Sequence, residues 1–129
     1  MQLKFFNDER GESRGVEGDA FVVDASGIHA QPGGTVVARH VNDRWLVGGD
    51  LFLKVQCGEA VACLFDNGAR PAPPAQGPFD QLTIVEGVLR ADERPLAMLD
   101  ERRGWNSLVG DETWRGFRLV PAEDTRQTA

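Results

Sequence analysis

Apolar and polar residues alternate along most of this chain with a period of two, in runs that stay short. That pattern predicts β-strands with one buried face. Its longest passage is Gly77 to Asp100, GPFDQLTIVEGVLRADERPLAMLD. It predicts a central hairpin: a long strand over Leu82 to Ala91 with Gly87 as a bulge, a turn at Asp92-Glu93, and a returning strand over Arg94 to Leu99. A short helix over Arg94–Arg103 is the alternative for the second arm. Pro95 suits a first helical turn, and Leu96 to Leu99 suit a helix interior.

The rest of the chain reads the same way. Strands are expected at Leu3–Phe6, Ala20–Asp24, Ile28–Ala30, Thr35–Val41, Arg44–Val47, Leu51–Cys57, Val61–Phe65, Trp105–Val109 and Thr113–Val120. Pro32-Gly33-Gly34, Asn42-Asp43 and Gly48-Gly49 are turn signals, since glycine and asparagine tolerate positive φ. Alternation is cleanest over Leu51 to Cys57. It predicts Leu51, Leu53, Val55 and Cys57 on one face, with Phe52, Lys54 and Gln56 on the other. A three-residue loop at Gly58–Ala60 would then set Cys57 against Val61 and Val55 against Cys63, keeping both apolar faces on one side.

Three segments lack this alternation. Residues 7–19, NDERGESRGVEGD, carry too little apolar surface to offset ordering entropy, which predicts a mobile loop. Residues 66–78 are proline-rich and predict a stiff loop. Residues 121–129 predict a frayed tail. About nine short strands with frequent turns indicate an all-β single domain, an antiparallel β-sandwich or small β-barrel. No repeat of fixed period is legible.

Composition narrows the functions more than it names one. The 129 residues are 41% hydrophobic and 26% charged, as in an ordinary globular domain. With 14 basic and 20 acidic residues the net charge is −6, the wrong sign for general attraction to nucleic acid or anionic membrane. No apolar run approaches the roughly 18 residues of a membrane span. Met1-Gln2-Leu3-Lys4 opens no signal-peptide pattern, so a cytoplasmic location is the expectation.

Candidate chemistry is sparse. Cys57 and Cys63 are not spaced as a zinc or redox motif, and read as small buried thiols. His29 and His40 lie on strands either side of the Pro32-Gly33-Gly34 turn. If those strands bring the imidazoles together, they and a nearby Asp24, Asp43 or Asp50 would make a divalent-metal site. Trp45, Trp105 and Trp114 are either core residues or the lining of a ligand groove. Arg90 and Arg94, with Arg102, Arg103, Arg115 and Arg118, would form an anion-binding surface if they share a face. No serine nucleophile motif, phosphate loop or cofactor fingerprint is present, so no cofactor is expected. Three readings follow. The first is a non-catalytic domain that binds another protein or itself, as an accessory or inhibitor-like protein would. The others are a small-ligand binder with a tryptophan-lined pocket, and a metal-dependent enzyme using His29 and His40.

Overall fold

The computed structural model describes residues 1–7, 9–66, 76–100, 102–108, 110 and 113–121. They form sixteen strands. The first eight are β1 (Gln2–Asn7), β2 (Glu12–Glu17), β3 (Ala20–Asp24), β4 (Gly27–Gln31), β5 (Thr35–Val41), β6 (Arg44–Val47), β7 (Asp50–Phe52) and β8 (Lys54–Cys57). The second eight are β9 (Val61–Asp66), β10 (Gln76–Phe79), β11 (Leu82–Val85), β12 (Val88–Ala91), β13 (Arg94–Asp100), β14 (Gly104–Ser107), β15 (Thr113–Trp114) and β16 (Gly116–Pro121). They build two eight-stranded antiparallel sheets, ordered β15-β14-β13-β12-β11-β8-β1-β2 and β10-β9-β16-β3-β4-β5-β6-β7. One apolar core fills the space between the sheets, with Phe5, Phe21, Trp45, Phe52, Trp105 and Phe117 among its largest members. This is a β-sandwich rather than a barrel, and the described residues contain no helix.

The two orders are related by one rule. Adding eight to each strand number turns the first sheet into the second, if β9 to β16 are followed by β1 to β8 again. The chain is therefore an internal repeat. Each half gives a hairpin and its last strand to one sheet, and a five-stranded meander to the other. Register supports the equivalence residue by residue. Phe5 pairs with Val55 as Phe65 pairs with Phe117. Leu82 pairs with Cys57 as Phe21 pairs with Leu119. A bulge follows Ile28 opposite Ala38, and its counterpart follows Leu89 opposite Ala97. The corner where each half changes sheets repeats as well. Leu53 N–H donates to Phe6 O at 2.9 Å, and Arg115 N–H donates to Asp66 O at 2.8 Å.

Several sequence expectations are corrected by this arrangement. The passage from Leu82 to Ala91 is two strands, because Glu86 and Gly87 both take positive φ (51° and 74°) and make a tight hairpin turn. Gly87 is thus a turn residue, and the bulge lies at Leu96. The returning strand expected over Arg94 to Leu99 does form, as Arg94–Asp100, and not the alternative helix, since it pairs with strands on both sides. The loop expected over residues 7–19 contains β2, which pairs with all of β1 despite its polarity. In the loop expected over 66–78, Asp66 ends β9 and Gln76–Phe79 is β10, while 67–75 lie outside the described residues. In the tail expected over 121–129, Pro121 closes β16 and 122–129 lie outside the described residues.

The expected Leu51–Phe65 hairpin does not form. β8 pairs with β1 and β11, whereas β9 pairs with β16 and β10. Gly58–Ala60 carries the chain from one sheet to the other. The face assignment for Leu51 to Cys57 also breaks at Leu53, where β7 gives way to β8 in the opposite sheet. Phe52 is buried and Leu51 is 41% exposed, while Val55 and Cys57 point into the core. One residue spent turning a corner inverts the alternation on one side of it.

Candidate interaction surface

The three tryptophans are core residues, none more than 4% exposed. Trp114 stacks on Phe65 with ring centroids 3.5 Å apart, and Trp105 meets Phe117 edge-on at 5.1 Å. Trp45 meets His40 edge-on at 5.1 Å. They do not share an open groove.

The histidines are held apart. His29 pairs with Val22 and Val36 on the outer side of the second sheet. His40 pairs with Trp45, on the core side, and its N–H donates to Ser26 O. The two rings lie on opposite faces, about 10 Å apart along the strands. Among the described residues no group of three or more His, Cys, Asp or Glu side chains is placed to hold a metal ion. The arginines do not share a face either. Arg90 and Arg94 flank the Asp92-Glu93 turn in the first sheet, whereas Arg118 stands on the outer side of the second.

Asp24 has the most connected carboxylate. Its Oδ1 accepts from Ser26 Oγ at 2.6 Å, Ser26 N at 2.9 Å and Gly27 N at 3.0 Å, while Oδ2 lies 3.3 Å from His29 Nε2. Burial alone would raise its pKa. The bonds from Ser26 and Gly27, with His29 beside it, outweigh burial and hold the carboxyl below its ordinary value. Ser26 and His29 both contact the carboxylate rather than each other, so this is a turn-fixing cluster and not a nucleophile–base pair. Cys57 and Cys63 are free and buried. Burial, and then the neighbouring Cys57, push the Cys63 thiol up to about 12. Such a thiol stays protonated and inert.

Concavities among the described residues are shallow and open. A groove of about 520 Å³ at one end of the sandwich is lined by Glu9, Asn42, Asp43, Arg44, Leu53, Lys54, Val85 and Glu86. A smaller one of about 250 Å³ lies between Thr83, Arg90 and Asp92. Neither encloses an apolar cavity.

The outer faces of the two sheets are the remaining candidates, and the internal repeat allows them to be compared position by position. On the second sheet, register aligns Leu64, Arg118, Val22, His29 and Val36 in one row across five strands. The equivalent row on the first sheet is Lys4, Gln56, Thr83, Arg90 and Pro95. Beyond that row, Leu46 and Leu51 pair where the first sheet pairs Asn106 with Thr113. Val36 and Leu51 are 47% and 41% exposed. Ala20, Ala62 and Val120 form a small second cluster on the same outer side, with Leu64 packed against it. The first sheet has its own apolar residues in a single row, Phe6, Val85, Val88 and Met98, interrupted by Lys54.

No family model, curated protein or solved structure matches this chain. Sequence reasoning missed this surface, because outward residues on a strand are recognisable only once the sheet partners are known. The one signal was the unbroken apolar run at Ala20–Val23, which implied cover on both sides.

Proposed function

We propose that the protein is a non-catalytic protein-binding domain that docks through the outer face of its second sheet. The carrying observation is the contrast between equivalent positions. Val22, Leu46, Leu51 and Leu64 occupy sites where the other half of the same fold has Thr83, Asn106, Thr113 and Lys4. The fold is built equally well with polar residues there, so packing does not demand the apolar ones. Leu64 packs on Ala20, Ala62 and Val120, but Val22 and Leu46, half-buried, and Leu51, exposed, leave apolar surface open to water, which costs solubility. They are accounted for by a partner that covers them.

The equivalence also supplies the test. The variant V22T/L46N/L51T places on the second sheet the residues the first sheet already carries. It should fold with an unchanged circular dichroism spectrum. The full-length chain, immobilised and exposed to extract of its native host, should retain a partner that this variant loses. The mirror variant T83V/N106L/T113L should keep that partner. Identical retention by all three would sink the proposal.

A further inference from the structure

We infer that the open edge of β2 is a self-association site, where a second copy of this chain lays its own β2 antiparallel to the first. This surface is independent of the outer face of the second sheet. Among the described residues β2 ends the first sheet and has a neighbour on one side only. Gly18 N–H donates to Met1 O, which makes these two a hydrogen-bonded pair of the β1–β2 ladder. Register then makes hydrogen-bonded pairs of Leu3 with Val16, Phe5 with Arg14, and Asn7 with Glu12. The residues between them, Ser13, Gly15 and Glu17, point their N–H and C=O groups away from β1. All three are exposed.

The other sheet edges are blunted. β7 and β15 are three and two residues long. β10 is the counterpart of β2 in the internal repeat. It pairs with β9 at Gln76 and Phe79 across a shift in register, and Pro78 between them has no N–H. β2 pairs along all six of its residues and contains no proline. The fold is thus complete with a broken strand at this position, and an unbroken one is a template for another strand.

The residues of β2, ESRGVE, favour a second copy as that strand. With the two-fold axis at Gly15, Gly15 faces Gly15, Ser13 faces Glu17 and Arg14 faces Val16 of the other copy. All three outward-facing residues are then matched, for about six N–H···O bonds, and no like charges stand opposite each other. An axis one residue earlier sets Arg14 against Arg14. An axis one residue later sets Ser13 against Asp19, whose N–H already donates to Gln31 O. An inward-pointing charge can guard an edge. Here the Arg14 guanidinium is held beneath its own strand by Val47 O and Asp50 Oδ2. Gly15 has no side chain to hold the two strands apart. The pairing makes one continuous sheet of the two eight-stranded first sheets.

Sedimentation equilibrium of the full chain, from about 1 μM to about 1 mM, should show a reversible monomer–dimer equilibrium. It should be weak, because strand pairing buries less than the roughly 1,200 Å² of a standard interface. G15P removes the central outward donor and leaves the bonds to β1 in place, so it should stay monomeric with an unchanged circular dichroism spectrum. A side chain at Gly15 must displace the Gln2 amide, so S13P is the second variant. It loses two bonds of the pairing and should weaken the dimer at least about tenfold. G15C should cross-link two chains under mild oxidation, since hydrogen-bonded partners have Cα atoms about 5.5 Å apart. S13C should not, because its two copies stand about 14 Å apart. A chain that is monomeric throughout, or a dimer that S13P leaves unchanged, overturns the inference. A dimer lost in V22T/L46N/L51T instead moves self-association to the outer face and overturns it too. A monomeric wild type whose partner from host extract is lost in S13P assigns the edge to an extended segment of another protein, against the second copy.

Discussion

Trp45 and Trp105 occupy one position of the fold twice. Trp45 lies on β6 between His40 and Phe52, and Trp105 lies on β14 between Leu99 and Trp114. Both are essentially inaccessible, at 1% and 0%. Each belongs to the apolar core and sits on the meander of its own half. Trp45→Ala and Trp105→Ala should therefore cost similar amounts, about 3–5 kcal/mol each, as expected for truncating a large buried aromatic. Urea unfolding with an unchanged slope measures this. A cost below about 1 kcal/mol for either would mean that its site is not the packed one described.

The repeat also predicts tolerance to reordering. β8 is joined to β9 by Gly58–Ala60, and β16 is to β1 as β8 is to β9. Pro121 and Gln2 are therefore as close as the ends of that short connection. A circular permutant that begins at Ala60 and ends at Glu59, with Ala129 joined directly to Met1, should fold as the wild type does. Its stability should lie within about 1 kcal/mol of the parent, because lengthening a surface connection costs little. The control is a permutant opened inside β9, at Leu64, which should not fold. A permutant opened at Ala60 that lacks a cooperative urea transition would contradict the equivalence of the halves.

Much of this architecture was legible in the sequence, but not its symmetry. The period-two runs gave the strands, and Asn42-Asp43 and Gly48-Gly49 gave turns where φ is positive at both central residues. The repeat was hidden because the spacing between equivalent residues drifts. The turn between Ala30 and Thr35 is longer than the one between Ala91 and Arg94, and other connections differ in turn. Chemistry drifts too: Phe52 answers to Trp114 and Leu3 to Cys63. Residues 12–17 escaped notice because β2 is an edge strand, stabilised by backbone pairing more than by burial. The docking face was illegible for a related reason. Whether Leu46 faces the core or the outside depends on which neighbours β6 acquires, and that is long-range information.

Arg14 ties that edge strand to the other sheet. Its guanidinium donates to Val47 O at 2.7 Å and to Asp50 Oδ2 at 2.6 Å, and lies 5.5 Å from the Phe52 ring centroid. Both charged side chains are more than a third exposed, so Arg14→Ala should cost no more than about 1 kcal/mol globally. Its effect should be local. Amide hydrogen exchange should quicken in Glu12–Glu17 while the β3–β4 amides are unchanged. Asp50→Asn, which keeps the bond to Val47, should have the smaller effect. Uniform loss of protection across both sheets would show that Arg14 does not act as a corner tie.

The buried thiols give a direct probe of the core. Burial raises Cys57, and burial followed by Cys57 itself raises Cys63 to about 12, so both are neutral at pH 8. Only thiolate reacts appreciably with iodoacetamide. The native protein at pH 8 should stay unmodified at both positions, and both should react within the unfolding transition in urea. Rapid native labelling of Cys63 would place it outside the core.

Asp24 sets the behaviour of the β3–β4 turn in acid. Its pKa is lowered in the folded state, so folding favours the carboxylate. The stability this contributes is fully present above the unfolded-state pKa, near 3.8, and is lost as pH falls through the lower folded value. The sign is fixed by proton uptake, since between these two values the unfolded chain binds more protons than the native one. Asp24→Asn removes the charge but leaves an acceptor for Ser26 and Gly27. It should lower stability at pH 7 and have a smaller effect near pH 2, so the wild-type and variant curves converge in acid. His29→Gln removes only the imidazole and should change the pH 7 value less, because the Ser26 and Gly27 bonds lower the carboxyl more than His29 does. Urea midpoints from pH 2 to pH 7 measure all three proteins. A wild-type minus Asp24→Asn difference that stays constant across that range would show that Asp24 is not held ionised by this turn.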